Sequence, residues 1–86
     1  FMYFQRLRDL REDKDMNQTQ VAEILNTKQT VYSRYERGFQ TIPLEHLITL
    51  ADFYGVSIDY ITGRTNVKEV IQKNKDGRFI YKPFFK

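Results

Sequence analysis

Asn17-Gln-Thr-Gln-Val-Ala-Glu-Ile-Leu-Asn-Thr-Lys-Gln-Thr-Val-Tyr-Ser-Arg-Tyr-Glu-Arg-Gly38 is the stretch whose pattern decides the fold. It holds two short helical patterns separated by a tight break. Asn17 is a good N-cap, and Val21, Ala22 and Leu25 fall on one side of the helix that follows it. Gln18 sits on the first turn, where free N–H groups and the positive end of the helix dipole attract a phosphate oxygen. The pattern stops at Leu25-Asn26-Thr27. Asn26 tolerates the left-handed conformation that a sharp turn needs, and Thr27 is expected to cap the next helix, to within one residue. Two helices joined this tightly must cross steeply.

In the second helix a step of about 100° per residue places Val31, Tyr32 and Tyr35 on one arc. Gln29, Thr30, Ser33, Arg34 and Arg37 occupy the opposite arc. The apolar arc is expected inward. The outward arc is a row of hydrogen-bonding side chains without a carboxylate, and these types read base edges: Gln pairs with adenine, Arg with guanine, and Thr touches a thymine methyl. Any surface helix has a polar face. The tight turn before this one, together with Gln18, tips the balance towards function.

Asn17-Gln18, Ala22 and Ser33-Arg34-Tyr35-Glu36-Arg37-Gly38, followed by Leu50-Ala51, Gly55-Val56-Ser57 and Asp59-Tyr60, resemble the XRE-type helix-turn-helix family of lambda-type repressors and Cro. The similarity runs from about Arg6 to Gly63. It implies an all-α, compact bundle of five helices that binds double-stranded operator DNA, often as a two-fold symmetric homodimer. It further implies that Gln18 contacts a phosphate while Gln29, Thr30 and Arg34 face the bases. Two positions depart from the family pattern: Asn26 stands where a glycine is usual, and the aromatic Tyr32 replaces an aliphatic core residue, which must alter local packing.

On the first helix Phe4, Leu7 and Leu10 mark a buried stripe, and by angular count Arg11 falls inside it. A charge there needs a partner. Glu36 lies beside Tyr32 at the edge of the apolar arc of the second motif helix, and the resemblance implies a structural salt bridge between Arg11 and Glu36.

Eighty-six residues suit one small domain with an adequate core, and the absence of cysteine fits a reducing, cytoplasmic setting. No apolar run approaches the roughly 20 residues of a membrane span, and no signal peptide is visible. Phe1 reads as an addition ahead of a natural start at Met2. The net charge of +3 is unevenly spread. Residues 64–86 carry seven basic and two acidic groups, whereas residues 1–63 carry seven basic and nine acidic ones, a net of −2. DNA binding by the main domain must therefore rest on local placement of Lys28, Arg34 and Arg37.

Downstream, a helix is expected from about Leu44 to Tyr54, started by Pro43 and ended by Gly55, with Leu44, Leu47, Ile48, Leu50, Ala51 and Tyr54 as a core stripe. Phe53 points away from it and, with Phe39, is a candidate dimer contact. Ser57 is expected to cap a last helix, Ile58 to Thr62, with Gly63 as its stop. The bundle thus spans 1–63, leaving 64–86 as a basic, aromatic extension. There Asp76-Gly77 between Lys68–Lys73 and Arg78–Lys82 favours a β-hairpin. An isolated hairpin is marginal, so Phe79, Tyr81 and Phe84 are expected to pack on the bundle or a second subunit; phosphate contact and a disordered tail are the alternatives.

The single histidine, His46, has no second soft ligand nearby and makes no zinc site. No phosphate-binding glycine loop appears, and Ser33 and Ser57 lack catalytic partners, so neither a cofactor nor enzymatic activity is expected. The expectation is a sequence-specific transcriptional repressor on a palindromic operator. Gln18 would hold a phosphate, Gln29, Thr30, Ser33 and Arg34 would read bases, and Lys28 and Arg37 would add charge. The competing class is a protein-interaction module, such as an antitoxin or adaptor, that grips a partner through the aromatic extension.

Overall fold

The computed structural model describes residues 2–73 and 79–82. Five helices follow one another: α1 (Gln5–Asp13), α2 (Gln18–Ile24), α3 (Gln29–Arg37), α4 (Leu44–Tyr54) and α5 (Ile58–Ile61). Two strands come after them, β1 (Val70–Lys73) and β2 (Phe79–Lys82), paired antiparallel with Ile71 opposite Tyr81 and Gln72 opposite Ile80. This is the all-α bundle with a small hairpin that the sequence pattern indicates. The Asp76-Gly77 turn lies outside the described residues, as does Phe84. Phe79 and Tyr81 stand on β2, and the packing expected of their side chains also lies outside what is described.

Each helix ends the same way. One or two residues past its last residue comes a left-handed position (Asp15, Asn26, Gly38, Gly55 and Gly63 in turn). The amide one further on returns to the carbonyl five residues back: Met16 to Arg11, Thr27 to Ala22, Phe39 to Arg34, Val56 to Ala51 and Arg64 to Asp59. This closure satisfies carbonyls that a helix end would otherwise leave orphaned. Asn26, with φ 56°, stands in for the usual glycine because its short polar side chain tolerates that conformation.

Starts are more varied. Asn17 forms a full capping box with Gln20: its Oδ1 accepts from the Gln20 amide at 2.8 Å and its own amide donates to Gln20 Oε1 at 2.9 Å. Ser57 caps α5 by accepting from the Tyr60 amide. Thr27 does not cap α3; the N-cap is Lys28, which makes no side-chain cap bond. Lys28 lies one residue beyond Thr27, within the expected margin, and the Thr27 backbone amide closes α2.

The core draws Phe4, Leu7 and Leu10 from the α1 stripe, Val21, Ala22 and Leu25 from α2 and its end, and Tyr32 and Tyr35 from α3. Leu47, Leu50, Ala51 and Tyr54 join from α4, and Ile61 from α5. Full burial of a side chain such as Leu7 or Leu50 contributes about 1.5 to 3 kcal/mol. The stripe expected on α4 is narrower than its sequence suggests, because Leu44 (64% exposed) and Ile48 (45%) face outward. Ile42 and Val56, both in connections, take up the core volume instead. Val56 enters it because the closing bond at the end of α4 turns the chain back onto the bundle.

Arg6 ties the end of the bundle to its start. Its Nη1 donates to the carbonyls of Tyr60 (2.8 Å) and Thr65 (2.6 Å), its Nη2 donates to Asn66 Oδ1, and its guanidinium lies 4.1 Å from the centre of the Tyr60 ring. The Ser57 amide also donates to the Lys68 carbonyl at 3.0 Å, so the segment leading into β1 is held against α5.

Candidate nucleic-acid interface

The α2–α3 unit carries the candidate site. With Tyr32 fully buried and Tyr35 nearly so, α3 can present only its other arc, and Lys28, Gln29, Thr30, Arg34 and Arg37 are all exposed there, with Ser33 half-buried beside them. The two inner rings meet edge to face, with centroids 6.3 Å apart. Tyr32, in place of an aliphatic residue, thus gains an aromatic contact. Its hydroxyl, like that of Tyr54, is buried without a hydrogen bond of normal geometry.

Arg11 and Glu36 pair as the resemblance implies. Arg11 Nε donates to Glu36 Oε2 at 2.6 Å and Nη2 to Oε1 at 3.1 Å, while Nη1 donates to the Met16 carbonyl at 2.9 Å. Their side chains are 13% and 3% exposed. Burial opposes ionisation of Glu36. The guanidinium of Arg11, with smaller help from the nearby Tyr32 phenol and the Gln18 amide, outweighs burial and holds the carboxyl below its ordinary range. Burial pushes the Tyr32 phenol far up, and that of Tyr54 up to about 12, with the Glu36 charge adding to both.

From this anchored carboxylate a hydrogen-bond chain runs to the surface. Gln18 Nε2 donates to Glu36 Oε1 at 3.1 Å, and Gln18 Oε1 accepts from Gln29 Nε2 at 2.6 Å. The polarity of the chain is forced. An ionised carboxylate can only accept, so Gln18 must turn its amide nitrogen inward and its oxygen outward, and Gln29 must then present a nitrogen to it. Gln29 is left with one N–H and its Oε1 for an outside partner, and Gln18 keeps one N–H. The sequence pattern identifies Gln18 and Gln29 separately but not their link, which spans eleven residues; a buried acid two turns beyond a surface glutamine is the only advance signal.

The charges sort by position. Arg6 is caged, Arg8 pairs with Glu12, Arg11 with Glu36, Arg64 with Asp59, and Lys68 lies over the Tyr60 ring. Among the described residues no carboxylate pairs with Lys28, Arg34 or Arg37. The Arg37 guanidinium stacks over the Phe39 ring, 4.7 Å from its centre. Among the described residues of the bundle the cations without a carboxylate partner are thus concentrated on the face that also holds Gln29 and Thr30, which is how a net negative bundle still offers a positive surface to a polyanion.

Of the two candidate dimer residues of the bundle, Phe39 adjoins this row through Arg37, and Phe53 stands on a different helix. Phe39 follows α3 and is 61% exposed; Phe53, on α4, is 41% exposed with the Lys14 ammonium 5.5 Å from its ring centre. Among the described residues no helix is long and apolar enough to cross a membrane.

Residues 7–61 match the helix-turn-helix family profile. The chain is similar to an uncharacterized HTH-type transcriptional regulator of Bacillus subtilis, YobD, at 38% identity, with 84% of this chain and 73% of the relative covered. It is 37% identical to the cryptic phage CTXphi transcriptional repressor RstR of Vibrio cholerae, over 83% of this chain and 66% of that protein. Among solved structures it resembles a transcriptional regulator from Listeria innocua, with a TM-score of 0.64 and 32% identity, covering 66% of this chain and 53% of the other. The chain therefore spans between about half and three quarters of the length of these proteins.

Proposed function

Because the chain belongs to the XRE-type helix-turn-helix family of DNA-binding transcriptional regulators, we propose that the exposed arc of α3 enters the major groove of a specific operator and that the protein acts as a repressor. One observation carries the assignment of residues: the Gln29–Gln18–Glu36–Arg11 chain fixes an outward amide at the start of α3. The remaining N–H and Oε1 of Gln29 match the N7 acceptor and N6 donor of adenine. Thr30, Ser33 and Arg34 read neighbouring base edges from the same arc. Gln18, through its second N–H, and Lys28 and Arg37, through charge, hold phosphates and set the register.

Two copies bind together, with half-sites about one helical turn apart. Leu44 and Ile48 are neighbouring exposed apolar side chains on one side of α4 and supply the surface on which a second copy packs. Selection of bound duplexes from a random pool tests both parts. A palindrome with adenine at a fixed position in each half-site supports the assignment. A single unrepeated site would remove the dimer, and a pool without enrichment would remove sequence-specific binding.

A further inference from the structure

Phe39 is the apolar side chain whose exposure the local backbone does not explain. At the end of α1 and of α4 the residue after the left-handed position is also apolar, Met16 and Val56, and the same closing hydrogen bond folds both onto the core. Val56 is 1% exposed. At the end of α3 the closing bond is intact, the Phe39 amide donating to the Arg34 carbonyl at 2.9 Å, yet the ring is 61% exposed. Tyr3 packs against the neighbouring Gly38, its Cβ 3.1 Å from where a Cβ on Gly38 would stand. What the ring does touch is the Arg37 guanidinium.

We infer that Phe39 is a positioning residue for Arg37, and that the stacked pair forms a phosphate anchor at the C-terminal end of the recognition helix. A free arginine on a helix end samples many rotamers, and fixing it on contact with DNA opposes binding through lost side-chain entropy. A ring beneath the planar guanidinium limits that freedom before binding and leaves the edge N–H groups available for phosphate oxygens, because stacking uses the face alone. Gly38 makes the arrangement reachable. Its φ of 78° turns the chain so that Phe39 comes back beside the preceding turn, a left-handed conformation that costs most L-residues strain. The inference rests on α3 being the element that meets DNA.

The test measures affinity and its salt dependence on a random-sequence duplex, since phosphate contacts do not depend on sequence. Arg37→Ala is expected to weaken binding and reduce the salt slope by about one. Phe39→Leu should weaken it about two- to five-fold, the range of an exposed cation–π contact. Phe39→Tyr should bind as wild type, and the Arg37→Ala, Phe39→Leu double variant should bind no more weakly than Arg37→Ala alone. In the free protein, Phe39→Leu should move the Arg37 side-chain proton resonances downfield as the ring current is lost. Additive losses in the double variant, or unchanged affinity for Phe39→Leu, would overturn the positioning role while leaving the groove assignment standing. A loss that follows the monomer–dimer balance in sedimentation would reassign Phe39 to subunit contact. Absence of salt-dependent binding by the wild-type chain would remove both the inference and the assignment beneath it.

Discussion

Replacing Arg11 with alanine removes three hydrogen bonds at once, two to Glu36 and one to the Met16 carbonyl, and leaves a carboxylate that is 3% exposed with only the nearby Tyr32 phenol and the Gln18 amide for support. Breaking a buried pair from one side destabilises by about 3 to 5 kcal/mol, because the stranded charge keeps its desolvation penalty. A domain of 86 residues has roughly 4 to 13 kcal/mol in total. The variant should therefore melt lower by about 12 °C or more, at 4 to 8 °C per kcal/mol for a domain of this size. Urea denaturation at neutral pH, with matched melting curves, reads the effect. The pH dependence supplies an internal check. In the wild type the carboxyl is held below its ordinary range, so its stabilisation is complete above about pH 4.5 and is lost as pH falls through the lowered value. In Arg11→Ala burial is opposed only by the weaker Tyr32 and Gln18 contributions and should raise the same carboxyl, so the gap between variant and wild type should narrow on acidification. Adding Glu36→Leu to Arg11→Met should recover much of the stability, since both charges are gone, yet bind DNA less well because Gln18 has lost its anchor. A denaturation midpoint for Arg11→Ala equal to wild type at neutral pH would refute the reasoning.

Arg34→Ala should weaken binding to the selected operator by about 1 to 3 kcal/mol and relax one base position; equal losses on every sequence would show that Arg34 meets only phosphate. Gly38→Ala forces an L-residue to φ 78° and brings its Cβ to 3.1 Å from Tyr3, so chemical denaturation should show a loss of about 1 to 2 kcal/mol, and no loss would mean that the turn rearranges freely. The Tyr54 hydroxyl is buried without a partner, so Tyr54→Phe should keep or raise stability at neutral pH, and a clear loss in urea denaturation would reveal a bond to that hydroxyl. The same phenol has its pKa raised from 10.0 to about 12 in the folded chain. Its contribution is intact below pH 10 and lost between pH 10 and 12 at about 1.4 kcal/mol per pH unit. Tyr54→Phe should flatten that decline, and an unchanged alkaline limb would contradict the shift.

How far the chain could be read in advance depended on the range of the interactions. Asn17, Ser57 and the glycine stops act within a few residues, so the starts of α2 and α5 and the ends of α3, α4 and α5 were legible from capping chemistry. The hairpin strands fell within two residues of the expected runs, because an Asp-Gly pair between β-tolerant segments is a local signal. The groove-facing row was legible as well, since helical periodicity leaves Gln29, Thr30, Arg34 and Arg37 no other face once Tyr32 and Tyr35 turn inward. What escaped was non-local. Leu44 and Ile48 have core-like periodicity on α4, and only the packing of Ile42 and Val56 decides that they stay outside. Arg6 looks like any charged residue on an amphipathic helix, and its partners lie 54 to 60 positions away. The Gln29–Gln18–Glu36 chain is of the same kind: each member is a visible candidate, but their joining depends on how α2 crosses α3.

The central claim is that DNA meets the unpaired, carboxylate-free arc of α3. The most direct measurement is a nuclear magnetic resonance titration of the labelled chain with the selected duplex, following backbone amides and the side-chain amides of Gln18 and Gln29. The account predicts that the largest changes map to Gln18 and to residues 28–37, with the Gln29 side-chain signals strongly shifted. Changes concentrated on α4 or on residues 64–82, with α3 undisturbed, would contradict it.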